Sequence, residues 1–399
     1  MVMKQTQTKL FDWSDAGLDF CIASRSLLFD RFKRMFVLGY NEQTVTDVAV
    51  VGNQVTLTYG GAHGYVADRV LKVESGALSL MNNGEFYIDS VTTNTVTMII
   101  DDAPSVIAGS FKTKVAPLGW EIVYEVGTVQ IYKFKNLDES DVFLRLSMPT
   151  STSALIVYPC VGTTYDPSTG FINDPYADSL GKDVVTYTTT TEVVKWPHCS
   201  QNPASLANYT YAQGYSNYGR GMTVGSMYHM VNLGNLGSSA AESGVIHAVF
   251  PAYLADYPQL KLPVVLGMAN QGPTSTPNNL RLRCGNVDLT TMYPQGSTSD
   301  RFYRQAIASF LPAEIDSFNT TMATPFYLKL QNSFQSVGMS AGGIYQCSYG
   351  ISNRPSANRN ASPWISSDID FNHKVIVHAN TTGDSLFVAI PLEVIKYGI

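Results

Sequence analysis

Between Ser26 and Leu38 the apolar residues Leu28, Phe32, Met35 and Phe36 fall at i, i+4, i+7 and i+8, which lines one face of an α-helix. Ser24 or Ser26 is placed to cap its start, and Gly39 stands where a left-handed C-terminal cap is wanted. From Val45 to Lys114 the period drops to two. Val55, Leu57 and Tyr59 alternate with threonines, and Val96, Met98 and Ile100 repeat the pattern. Such alternation predicts strands with one buried face. Asn53, Gly60-Gly61, Gly76 and Asn82-Asn83-Gly84 supply turns at close spacing, as a small antiparallel sandwich or barrel requires.

A second β segment follows Pro117. Glu121 to Glu125, Val129 to Phe134 and Val142 to Leu146 read as consecutive strands, with turns at Gly127 and at Asp138 to Asp141. Pro149 and the Ser/Thr cluster behind it end this meander. The stretch from Tyr158 to Gly181 is rich in Pro, Gly, Asp and Tyr and reads as an ordered loop arm. Glycine and tyrosine dominate from Tyr209 to Tyr228, and a helix is predicted from Arg301 to Leu311 with Phe302, Ala306 and Phe310 on one face. Lys374 to Ala379 and Ser385 to Ile390 form a closing hairpin around Asn380-Thr381-Thr382-Gly383-Asp384. The expected fold is therefore mainly β: an N-terminal helix, small antiparallel β-sandwich modules and a larger β-rich C-terminal region. The divisions expected are a helical segment over 1–40, a small sandwich over 41–115, a meander with its arm over 116–200 and a C-terminal domain over 201–399. A chain of 399 residues is long enough for two or three cores.

Composition changes this picture in one respect. Asp, Glu, Lys and Arg make up 15% of the chain, against about 25% in average soluble proteins. With 23 tyrosines, such charge depletion fits a surface hidden in contacts, and it also fits a neutral Ser/Thr/Asn surface on a β-rich protein. The net charge of -6 argues against a nucleic-acid partner, which needs clustered cations. The single basic run, Arg31-Phe32-Lys33-Arg34, reads as a solvated helix face. Five scattered cysteines, Cys21, Cys160, Cys199, Cys284 and Cys347, form no CxxC pair and point to reduced thiols and synthesis in a cytosol. No signal peptide and no membrane-spanning run is expected. Sequons at Asn208, Asn319, Asn360 and Asn380 are what chance gives in a chain rich in Asn, Ser and Thr.

The search for chemistry yields little. There is no GxSxG elbow, and Cys199 directly follows His198, so on a strand the two side chains point to opposite faces. The histidines at 63, 198, 229, 247, 373 and 378 form no HxH or HExxH pattern. His63, beside Gly64, is expected to bond a nearby backbone group. Candidate carboxylate pairs are Asp101-Asp102, the Asp138, Glu139 and Asp141 turn, and Asp368 with Asp370. The first two fall in predicted turns, and the last offers fewer ligands than calcium takes. Gly219-Arg220-Gly221 and Gly225 lack the lysine of a phosphate cradle. Tyr209, Tyr211, Tyr215 and Tyr218 have no basic groove around them that would suit nucleic acid. No catalytic, cofactor-binding or metal-binding residue is expected.

One ordered set of short motifs does stand out. A helix ends at Gly39-Tyr40, followed by His63-Gly64-Tyr65, Asn83-Gly84-Glu85-Phe86, the strand from Ser90 to Thr97 and the box Ala116-Pro117-Leu118-Gly119-Trp120-Glu121. Gln130-Ile131-Tyr132-Lys133-Phe134 and Asp141-Val142-Phe143-Leu144-Arg145-Leu146 close the series. Over residues 10–160 this order resembles virion structural proteins of tailed bacteriophages encoded among tail and baseplate genes. The box is its most specific part, and Lys133 stands where that family usually has arginine. The resemblance implies a non-enzymatic component of the tail, baseplate or neck, made in the host cytoplasm. It would pack with copies of itself in a threefold or sixfold ring and with neighbouring tail proteins. A receptor- or glycan-binding tail protein is the competing reading.

Overall fold

Alternation along the chain is realised as antiparallel sheet. The computed structural model describes residues 6–21, 24, 26–74, 81, 83–107, 111–149, 155–186, 192–199, 210–235, 244–268, 280–291, 321–349, 362–367, 374–380 and 386–395, and their fold is mainly β. The predicted 301–311 helix, Asp368, Asp370, His373, Tyr209, Gly76, Asn82, residues 381–385 and the sequons at Asn208, Asn319 and Asn360 lie outside the described residues.

The N-terminal helix runs over Leu28–Lys33 and continues as a π-helical turn over Arg34–Leu38. Its predicted face is the buried one, since Leu28, Phe32, Met35 and Phe36 are all inaccessible, each contributing about 1.5–3 kcal/mol. The cap expectation is corrected: Leu27 occupies the N-cap with no side-chain hydrogen bond, so neither Ser24 nor Ser26 serves. Gly39 ends the helix, but at a φ of 72° and a ψ of 179° it is not the expected left-handed helical cap. A Cβ there would meet the Val115 carbonyl oxygen at 2.5 Å.

Tyr40–Val51 leads into a seven-stranded sheet and joins two partners in turn. Its first residues pair with Lys112–Val115 and its later ones with Gln54–Tyr59, with a register shift at each junction. Val55, Leu57, Tyr59, Val96 and Met98 are buried as the alternation requires. A five-stranded sheet follows, in which Glu121–Val126, Val129–Lys135 and Asp141–Ser147 form the expected meander.

The next strand corrects the arm expectation. Leu155–Gly162 is buried along its whole length and pairs with Asp141–Ser147, so Tyr158 begins no loop. Pro159 is tolerated because the other neighbour, Trp196–Cys199, pairs only with Leu155 to Val157. The remainder, residues 163–186, carries a small hairpin of Tyr165–Asp166 with Phe171–Ile172 and folds back onto the sheet. Arg145, wholly buried, donates from Nε to the Gly170 carbonyl at 2.7 Å and from Nη2 to the Val184 carbonyl at 2.9 Å.

A ten-stranded sheet spans strands from Met222–Gly225 to Ser336–Ser340, and its first strand comes from the opposite end of the chain: Lys9–Asp12 pairs with Met222–Gly225. A five-stranded C-terminal sheet contains the expected hairpin of Lys374–Asn380 with Leu386–Pro391. Tyr211–Tyr218 is a helix that the glycine- and tyrosine-rich composition concealed. One apolar cluster runs through all four of these sheets. Among the described residues no helix is long and apolar enough to cross a membrane.

Candidate functional site

Part of the motif series, the box with Glu85 and Phe134, converges on a buried junction. Because its last turn is π-helical, the helix presents the Met35 and Phe36 carbonyls, which accept the Leu118 and Trp120 amides at 2.9 and 3.0 Å. The Trp120 indole donates to the Ser226 carbonyl at 2.9 Å and stacks on Phe134 at 4.6 Å. The buried Lys9 ammonium donates to the Pro117 carbonyl and pairs with Glu85 at 2.6 Å. Desolvation holds Lys9 below its ordinary value, partly offset by Glu85. The box therefore ties the helix, the seven-stranded sheet and both strands of the ten-stranded sheet's first pair, at the Lys9 and Gly225 end.

Beside it lies a buried ionic network. Arg69 grips Asp15 with two parallel bonds of 2.8 Å, and the Tyr40 hydroxyl donates to the same carboxylate at 2.8 Å. Arg220 binds Asp12 through Nε at 2.6 Å. Burial works against the Arg69 charge, but Asp15 outweighs it and the guanidinium is held above its ordinary value. Burial first, and Asp15 second, push the Tyr40 phenol up.

His63 behaves as expected of a turn residue. Its Nδ1 accepts the Tyr65 amide at 2.9 Å, which leaves the proton on Nε2 to bond the Thr95 carbonyl at 3.1 Å. The Tyr59 and Tyr65 hydroxyls meet Thr113 at 2.9 and 3.0 Å. His-Gly-Tyr thus staples one corner of the seven-stranded sheet.

The candidate carboxylates do not converge. Asp101 and Asp102 form an exposed turn, with Asp102 at a φ of 56°. Asp138 accepts the Ser140 amide at 3.0 Å, Glu139 accepts the Tyr228 hydroxyl, and Asp141 pairs with Lys135 at 2.6 Å. Lys133 pairs with Glu121. Gly221 is required because a Cβ there would lie 2.1 Å from the Trp13 ring, and Gly225 because one would lie 2.5 Å from the His229 carbonyl oxygen. Close packing thus accounts for both glycines. Tyr218 is buried and Tyr211 half-buried, while the side chains of Tyr215 and Cys199 lie outside the described residues. Among the described residues no three His, Cys, Asp or Glu side chains are grouped so as to hold a metal.

Sequence reasoning missed two features. One is a row of exposed apolar side chains across three strands of the ten-stranded sheet. Tyr253 pairs in register with Met339, and Met339 with Tyr327, so all three share a face, at 37%, 40% and 49% exposure. Strand pairing carries this row, and no linear spacing encodes it. The other is a set of buried histidines on separate strands, described below. No family model matches this chain, and no curated protein matches it.

Proposed function

We propose that this chain is a non-enzymatic structural component of a bacteriophage virion, in the tail at the level of baseplate, tip or neck. In this reading it is made in the host cytoplasm and acts by packing against copies of itself in a threefold or sixfold ring and against neighbouring tail proteins. The observation that carries the reading is that several motifs of the resemblance, the box over 116–121, Glu85 and Tyr40, meet in adjoining buried contacts between sheets, where they engage Lys9, the Ser226 carbonyl and the Asp15–Arg69 pair. Such residues serve to fix the relative placement of sheets, which is what a part held in a symmetric assembly needs. The Tyr253, Met339 and Tyr327 row offers apolar surface for a neighbour.

The same row favours a second reading, a receptor- or glycan-binding tail protein. Two phenol rings two strands apart stand about 10 Å from each other, a spacing on which sugar rings can stack. Immunogold electron microscopy of intact virions tests the first reading: label confined to the tail supports it, and unlabelled particles beside a lysate containing the protein overturn it. Attachment of the purified chain to host cells or glycan would favour the second.

A further inference from the structure

Three histidines far apart in the chain meet in its core. His198 lies on Trp196–Cys199 of the five-stranded sheet over 121–199, His247 on Gly244–Phe250 of the ten-stranded sheet and His378 on Lys374–Asn380 of the C-terminal sheet. All three are wholly buried. The His198 and His247 rings stand edge to face at 4.9 Å, Trp196 stacks on His247 at 5.9 Å, and Phe32 of the N-terminal helix closes on His198 at 6.0 Å. His378 bonds the Gly234 carbonyl through Nε2 at 2.8 Å. Both ring nitrogens of His198 and both of His247 have no hydrogen-bond partner. Native cores rarely leave such atoms unpaired, so four at one junction call for an explanation.

The surroundings offer no counter-charge. Strands Met230–Asn235, Val264–Met268 and Leu386–Pro391 carry no ionisable side chain, and Gly244–Phe250 carries only His247. The titratable groups on the other packed elements are Asp30, Arg31 and Lys33 on the helix, Tyr158 and Cys160 on Leu155–Gly162, Glu192 and Lys195 on the approach to His198, and Lys374 at the head of the His378 strand. None of these shifts any of the three imidazoles, whereas His198 and His378 both act on His247.

We propose that this histidine junction is an acid-operated latch that holds three sheets together while neutral and releases them when protonated. Burial keeps the rings uncharged, lowering His198 to about 3 and His378 to about 4, and lowering His247 further through its two neighbours. An opened junction takes up protons at the ordinary imidazole value of about 6.5. The closed form is therefore favoured fully above that pH, and the preference is lost progressively as pH falls from about 6.5 toward about 3. At about one pH unit below 6.5 each histidine shifts the open-to-closed ratio roughly tenfold, and three together roughly a thousandfold.

The test is amide hydrogen exchange of the intact chain at pH 7 and pH 5, corrected for the intrinsic rate. Protection of Trp196–Cys199, Gly244–Phe250 and Lys374–Asn380 should fall together by at least about a hundredfold, while Tyr40–Val51 and Gln54–Tyr59 hold theirs. His247→Phe should reduce that loss at least about tenfold. His63→Gln should not, because His63 bonds the Thr95 carbonyl at 3.1 Å in the seven-stranded sheet, away from the junction. Unchanged protection at pH 5, a uniform loss over all sheets, or an equal effect of His63→Gln would overturn the latch. If His247→Phe fails to fold, the pattern in the unaltered chain decides.

Discussion

Replacing Arg69 with methionine probes the junction most directly. The side chain is buried with Asp15 and Asp12, and it supplies both guanidinium bonds to Asp15. Without it, Asp15 keeps the Tyr40 hydroxyl and the Asp12 amide, the latter at 3.3 Å. Neither neutralises its charge, and Asp12 lies close by with Arg220 as its remaining cation. Breaking a buried pair by removing one partner costs about 3–5 kcal/mol, because the other charge stays buried. That is roughly a hundred- to several-thousandfold in the folding equilibrium. Asp15→Asn in the Arg69→Met background removes the stranded charge and should recover a large part of the loss, with a coupling of at least about 2 kcal/mol in the double-mutant cycle. Urea titration followed by tryptophan fluorescence reads this out, since Trp13 bonds Thr223 beside the network. An Arg69→Met cost below about 1 kcal/mol, or independent effects of the two substitutions, would mean that solvent reaches the pair and the reasoning fails.

Trp120→Ala should cost about 3–5 kcal/mol from lost packing, visible as a lowered melting temperature; a drop of a degree or less would contradict the junction role. Gly170 sits at a φ of 68°, and a Cβ there would lie 2.4 Å from the Tyr124 ring, so Gly170→Ala should destabilise by about 1–3 kcal/mol; calorimetry checks it. Arg145→Met removes the bonds to the Gly170 and Val184 carbonyls and should make residues 163–186 the first site of limited proteolysis, whereas an unchanged cleavage pattern argues against the pin. Tyr327→Ser with Met339→Ser should leave stability within about 0.5 kcal/mol each while weakening self-association in sedimentation velocity; an unaltered oligomer would remove that row from the assembly surface.

The parts of the fold legible in sequence are those fixed by local pattern. Val55, Leu57 and Tyr59 alternate because one face of their strand is buried, and Gly39 marks the helix end because only glycine suits its φ and its approach to Val115. What stayed hidden depends on distant partners. Lys9-Leu10-Phe11-Asp12 resembles a surface segment with charged ends, yet all four residues are buried. The charges are satisfied by Glu85, Pro117, Arg69 and Arg220, all far along the chain. Leu155–Gly162 is buried on both faces, so it shows no period of two, and its proline and the Asp- and Gly-rich stretch behind it read as loop. Spacing rules search for histidines on one element, and His198, His247 and His378 meet only through three sheets. The absence of a linear motif there follows from the topology.

The pairing of Lys9–Asp12 with Met222–Gly225 also sets a timetable. Trp13 and Thr223, which meet at the end of that ladder, are 210 residues apart. At a synthesis rate of about 5–20 residues per second, this strand waits roughly 10–40 s for its partner to leave the ribosome. During that interval Leu10, Phe11 and Trp13 have no sheet to enter. The chain thus completes this early-made strand late, after the seven-stranded and meander sheets have had time to form from contiguous sequence. Slowing translation upstream of residue 222 would lengthen the exposure of this apolar strand to chaperones and to other nascent chains.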